Sequence, residues 1–426
     1  MLVALFLLTM GTLTRLSTAI PAFPGAEGFG AVASGGRHGS VYVVTNLNDT
    51  GAGSFRDAVS SPNRIVVFAV GELHHTVHYI RVHSGLITIG DRIVVSPNVT
   101  IAGQTAPGQG ITVYGNGLSY SGADNTITRY IRYRMGTTGD AGKDAITIAN
   151  GQNMIFDHVS VSWGRDETFS INGDVSNITI SDCIIAQGLE THSAGGLIQT
   201  SGGVSILRTL YIDNQTRNPK TKGVQEYINN VVYNWGTGGG YICGDSDGLS
   251  EVNIINNVFI SGPSTGIEPF TRGNLNFQTN YYDPDQDGTR NGFILSENIA
   301  DYSNVSFQAN PYPYPGVAIL FSPTDALSHV ISSAGASLSR DHLDNYLINT
   351  ELGSFGKVGE LITDPTASPI NGPGPVTGGT APKDTDGDGI PDAYESAHGL
   401  NPSVNDAMVI ASNGYANIEN YVNSLV

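Results

Sequence analysis

Cysteine is nearly absent. Cys183 and Cys243 are the only two in 426 residues, so at most one disulfide can form and a disulfide scaffold is excluded, whether or not the two pair. Positive charge is scarce too: 20 Lys and Arg face 38 Asp and Glu, a formal charge of -18, and only five residues are lysine. Nucleic acid and anionic membranes both demand broad basic surface, so neither is expected as a partner. Long apolar runs are missing as well. The run Leu2 to Leu8 falls far below the ~20 residues of a spanning helix. Followed by the small residues Ser17 and Ala19, it fits a signal peptide over residues 1–19 and a secreted, extracellular protein, although Lys and Arg are missing from its start. Sequons at Asn48, Asn98, Asn177, Asn214 and Asn304 would then make a glycoprotein.

What is abundant is glycine, 54 residues, and a recurring short strand pattern. Between about residues 95 and 285, β-branched runs start at Asn98, Thr126, Met154, Asn177, Val204, Glu226 and Val252, each bounded by Gly, Asn, Ser or Asp. Aligned on these runs, His158, Asp182, Thr209, Asn230 and Asn257 share a column with spacings of 24, 27, 21 and 27 residues. A repeat of that size, built of strands with no helical pattern, predicts an all-β fold: a right-handed, single-stranded parallel β-helix with one coil per repeat. A β-propeller blade needs ~40 residues and antiparallel hairpins, so the spacing is too short for it. Stacked polar side chains can satisfy backbone groups at the bends, which gives Asn229, Asn230, Asn256 and Asn257 a structural reading. Gly53 to Ser61 reads as a short helix near the first coil.

The β-helix is expected over residues 20–365. A Pro/Gly-rich stretch over 366–382 reads as a linker. Residues 383–426 then form a small helical calcium-binding module. Its opening places oxygen ligands at positions 1, 3, 5, 7, 9 and 12 of a calcium loop: Asp384, Asp386, Asp388, the Ile390 carbonyl, Asp392 and Glu395, with Gly389 at the sharp turn. The later stretch Asn413 to Val422 lacks a complete ligand set and is assigned to helix and packing.

Thr216 to Lys222 sets Arg217, Lys220 and Lys222 together on a strongly acidic chain, a local site for a polyanion. Three segments carry a family likeness: Phe156, Asp157 and His158; Trp163 to Glu167; and Arg217 to Lys220. In that order, and on successive expected coils, the chain resembles the pectate lyase family over roughly residues 23 to 285, most closely from Asp144 to Lys222. The resemblance implies calcium-dependent β-elimination of polygalacturonate; the chain is expected to be a monomer. By position, Arg217 matches the proton-abstracting arginine, Lys222 a cationic substrate-binding position, and Asp144 and Asp166 calcium ligands; Lys220 and His192 are further substrate-binding candidates. Ser170 stands where the family carries a ligand Asp, which leaves Glu167 or Asp140 to supply that carboxylate.

The chemistry has its own logic. Removing the C5 proton of a uronate builds charge on its carboxylate, which a bound cation stabilises. A guanidinium is normally protonated, so a base role for Arg217 requires cationic neighbours that disfavour its charge. Asp157 and His158 read as structural, Trp163 as wall or core, and Arg129, Arg132 and Arg134 as an outward strand face or part of the cleft. Asn214, three residues from Arg217, is expected to carry no glycan. Hydrolysis by a polygalacturonase needs paired carboxylates in motifs missing here. A pectin lyase wants an aromatic-rich cleft, and two tryptophans argue against one. A non-catalytic, calcium-dependent polysaccharide-binding β-helix is the remaining alternative.

Overall fold

The computed structural model describes residues 20–70, 85–244, 250–267, 269–271, 273–298 and 305–426; the expected signal peptide and Asn304 lie outside them. The chain winds into a parallel β-helix of about 9 turns. Three strand rows run its length. One carries the first halves of the long strands Ile146–Asp157, Phe169–Ser181, Leu197–Leu207 and Lys220–Ile228, extended by Tyr241–Cys243 and Phe270–Thr271. The second halves join Ser40–Val44, Arg64–Phe68, Val99–Ala102 and Ile127–Arg129 in a second row. The third row is a separate sheet running from Leu86–Thr88 to Phe293–Ile294, in which only the last pairing is antiparallel.

Alternation along each strand sends every second side chain inward, where it meets its equivalents on the next coil. Aliphatic residues stack in this way, and an aromatic column runs Tyr211, Tyr227, Tyr241, Phe270 and Phe277 with ring centroids 4.8 to 6.3 Å apart. No single coil could bury these side chains alone.

The corners require backbone in the left-handed region, which Asn and Asp adopt more readily than other non-glycine residues. At the entry to the second row Asn63, Asn98, Asn125, Asn153 and Asn177 all have φ between 55° and 60°. Each amide donates to the preceding asparagine at 3.0 to 3.2 Å, forming a continuous outer ladder. At the next corner the aligned column needs a one-residue correction. Ladder pairing puts Asp157 opposite Ser181 and Ser181 opposite Leu207, so His158 and Asp182 stack with Arg208, Asn229 and Asn256, all left-handed. The inward ladder is one residue later: Thr209 N–H donates to Asn230 Oδ1, Asn230 N–H to Asn257 and Asn257 N–H to Asn280, at 2.8 to 3.0 Å. Cys183 occupies this column, its Sγ accepting from Val159 N–H. Cys183 and Cys243 are both buried and unbonded to each other. Asn229 and Asn256 donate outward to the Phe321 carbonyl, so all four asparagines are structural.

Two wraps complete the molecule. The expected short helix is α1, Phe55–Val59, capped by the Ser54 hydroxyl. Helices α2, Pro323–Ser333, and α3, His342–Asn345, cover the third row. There Arg132 and Arg134 meet Asp341 and Asp344, with all four side chains at most 1% exposed. Arg129 pairs with Asp157 at 2.8 Å; none of these arginines reaches the groove described below. Within 366–382, Ile370 and Val376 are buried and Thr377 accepts from Gln109 N–H. Residues 383–426 carry α4, Asp392–His398, and α5, Asn417–Asn423. Their Ile390, Ile418 and Val422 pack on Ile65 and Val67 of the second row, and Glu419 forms a buried pair with Arg37 at 3.0 Å. Among the described residues no helix is long and apolar enough to cross a membrane.

Candidate active site

The loops that enter the first row place the site. Backbone bonds from Ala145 N–H to the Glu167 carbonyl, Thr168 N–H to Ala194 and Gly195 N–H to Thr216 set four consecutive coils in register. Asp144, Glu167 and Arg217 therefore lie side by side although 23 and 50 residues separate them in sequence. They open on a cleft of about 470 Å³ that Asp166, Ser170 and His192 also line.

Asp144 is fixed from both sides. Its Oδ1 accepts from Glu167 N–H at 3.2 Å and its Oδ2 from the Thr147 hydroxyl at 2.7 Å. Arg92, from an earlier coil, donates to the Asp144 carbonyl at 2.9 Å and to Thr147 Oγ1 at 2.6 Å. Burial lowers the pKa of Arg92, against the pull of Asp144 and Asp140. Glu167 is 5% exposed. Burial first, and then the charges of Asp144 and Asp166, push its carboxyl up to about 7, despite a hydrogen bond from Arg217. Oxygens of Asp166 and Glu167 and a ring nitrogen of His192 lie within 4.8 Å of one another. A carboxylate this crowded by its own sign is what an oxygen-ligated cation would relieve, so the residues fit calcium.

The expected residues divide as follows. Asp144, Asp166, Glu167 and Arg217 come together. His192 reaches the same cleft but spends Nε2 on Asp166 Oδ1, at 2.9 Å. Lys220 and Lys222 alternate with the buried Thr221, so both point outward from the row that bears the cleft, Lys220 beside Leu197 on the preceding coil. Ser170 lies in the cleft, and Glu167, rather than the exposed Asp140, is the carboxylate beside it. Asp157 takes bonds from Arg129, His158 and Ser181; burial raises its pKa, but His158 and Arg129 outweigh that and hold it well below the usual range. Trp163 is fully buried and donates to Gln187. Asn214 is also fully buried: it accepts from Gly188 N–H at 2.9 Å and donates to Asn218 at 3.0 Å, which leaves no room for a glycan.

A probable pectate lyase C of Aspergillus fumigatus is 59% identical over 424 residues, spanning 99% of this chain and 97% of its own. One from Emericella nidulans is 58% identical over 425 residues, 99% and 96% of the two chains. The chain belongs to the pectate lyase family. It is therefore a polysaccharide lyase. The crystal structure of a Bacillus pectate lyase in complex with trigalacturonate shares the fold, with a TM-score of 0.52 at 17% identity, over 74% of this chain and 100% of that one. No protein-family model matches the sequence. Within this pectate lyase, Arg92 is the site residue that sequence reasoning missed. It sits in no motif, and 52 residues separate it from the aspartate it braces.

Proposed function

We propose that this pectate lyase cleaves de-esterified polygalacturonate by calcium-assisted β-elimination, with Arg217 as the base that takes the C5 proton. The observation that carries the reading is the convergence of Asp144, Asp166, Glu167 and Arg217, from three coils, on one open cleft. A solved protein of the same fold holds trigalacturonate. Asp144, Asp166 and Glu167 would hold the calcium, which would supply a Lewis acid for the uronate carboxylate.

The protein's own groups do the remaining work. Arg217 is a quarter exposed and leans on Glu167, so its guanidinium faces the cleft instead of the core. A cation held by Glu167 would compete with this pairing and would leave Arg217 free to face the sugar. Lys220 and Lys222, outward on the same row, give a polyanion two more charges to follow along the groove. His192 stays at the rim through Asp166. Of the sequons, Asn48 is exposed; Asn98 and Asn177 use their amides in the outer ladder. We read the chain as secreted and monomeric, with Asn48 available to a glycan, and loop 384–395 as a second calcium site that stabilises the fold.

The deciding experiment follows the ultraviolet absorbance of the 4,5-unsaturated uronate on de-esterified polygalacturonate at alkaline pH, with calcium and then with chelator. A calcium-dependent rise supports the proposal. A flat trace from folded protein under both conditions rejects this substrate, and equal rates with chelator reject the calcium role.

A further inference from the structure

Loop 384–395 has the spacing of a calcium loop, yet the structure does not use every ligand the spacing predicts. Asp384 and Asp388 accept only from backbone N–H groups, whereas Asp392, at position 9, is paired with an ammonium. Its Oδ1 accepts from Thr385 N–H at 2.7 Å, and its Oδ2 takes Lys383 Nζ at 2.6 Å and the Thr385 hydroxyl at 2.7 Å. Glu395, at position 12, is fully buried, and neither of its carboxylate oxygens has a hydrogen-bond partner. Asp386 Oδ2 is buried and unpartnered as well. A buried carboxylate with nothing to bond is strongly unfavourable unless a cation meets it.

The missing ligand comes from beyond the loop. Ligand oxygens of Asp388, Glu395 and Asp406 lie within 4.8 Å of one another, as do those of Asp384, Asp386 and Asp388, so Asp388 joins the two groups. Asp406 is held in place: its N–H donates to Asp388 Oδ2 at 3.1 Å and its carbonyl accepts from Asn417 at 3.0 Å. We propose that a divalent cation, calcium by its all-oxygen shell, is bound by Asp384, Asp386, Asp388, Glu395 and Asp406 rather than Asp392, and that this site fastens residues 383–426 onto the first coils. The inference rests on the calcium reading of the loop given above.

The link to the coils is built into the loop. Ile390 follows three of these ligands and is fully buried against Ile65 and Val67. Gly389 has φ +95°, and a Cβ there would come within 2.9 Å of Val41. The backbone turn that gathers the carboxylates is thus the turn that seats the segment on the second row. Without the cation the clustered carboxylates repel one another and loosen that seat.

Hydrogen exchange read by mass spectrometry on the full chain separates this site from the cleft, because peptides report by position. Calcium added after chelation is expected to protect peptides from 383–426 and from the strands Ser40–Val44 and Arg64–Phe68 together. Asp392→Asn should keep the wild-type calcium midpoint, and Asp406→Asn should raise it about tenfold or more, since affinity in such sites follows the count of charged ligands. Glu395→Gln guards against simple misfolding: it neutralises an unpaired buried charge, so it should match or exceed wild-type protection in chelator while losing the response to calcium. An Asp406→Asn protein with the wild-type midpoint, or Asp392→Asn failing as badly, overturns the ligand assignment. Protection of 383–426 without protection of the two strands overturns the fastening. No calcium response in the wild-type segment removes the loop reading itself.

Discussion

Replacing Glu167 with glutamine tests the electrostatics of the cleft without emptying it. The carboxyl is held at about 7 in place of its ordinary 4.5. At ~1.4 kcal/mol per pH unit, the ionised form costs the cation-free folded protein about 3 kcal/mol. That figure already contains the help Glu167 receives from Arg217. The sign follows from the raised value: the protonated carboxyl is favoured in the folded state, so its contribution is full below about pH 4.5 and is lost as pH rises through about 7. Glutamine keeps an oxygen for the Arg217 guanidinium but cannot ionise. In chelator, Glu167→Gln should therefore be more stable than wild type at about pH 8, by on the order of 1–3 kcal/mol, and should match it near pH 4.5. Saturating calcium should reverse the order, because only the wild type has the third carboxylate to offer. Urea unfolding across pH, with and without calcium, measures both terms. A variant whose pH slope between about 4.5 and 7 equals that of the wild type would refute the crowding argument.

Other consequences are more direct. Arg217→Ala should abolish formation of unsaturated product, a loss of 10²-fold or more expected for a missing base, with the circular-dichroism spectrum unchanged; a normal rate would take Arg217 out of the reaction. Asp344→Ala leaves Arg132 and Arg134 to share Asp341 where no water reaches, and chemical denaturation should show a loss of about 3–5 kcal/mol; a loss below about 1 would mean that the wrap of α2 and α3 does not depend on this pair. Asn230→Ala strands the Thr209 N–H and the Ile206 carbonyl, at ~1–3 kcal/mol each. Asn229→Ala removes the bonds to Phe321 and one to the Asn256 carbonyl at the rim of the corner and should cost less; equal costs in the two variants would contradict the corrected register.

The repeat was legible because coil length is written directly into the spacing of strand runs, and inward Ile, Val and Phe cannot be confused with a helical pattern. The register within the repeat was not, because two adjacent columns use overlapping residue types. A left-handed corner accepts Asn, Asp or His, and the inward ladder accepts Asn or Thr, so His158 and Asp182 aligned with the wrong neighbours until backbone pairing separated them. The same limit governs the sites. Asp166, Glu167 and Arg217 were recoverable because each lies in a segment with family likeness, and Asp144 because it opens the stretch where that likeness is closest. Arg92 and Asp406 belong to no segment of that kind, and each is made useful by a contact across a coil or a loop that spacing does not encode.

Asp392 shows the converse. A loop pattern specifies which residues are able to bind a cation; whether they do depends on what else competes for their oxygens. Lys383 and Thr385, immediately before the loop, capture Asp392 where the helix α4 begins, and the vacated role passes to a residue from the next turn of chain. In the cleft the competition runs the other way: Arg217 occupies Glu167 with a bond that a cation must displace. On the proposed calcium reading, cation binding and release of the arginine would be one event. Arg217 would then stay paired with Glu167 until a cation took its place, and only afterwards be free to face a polyanion.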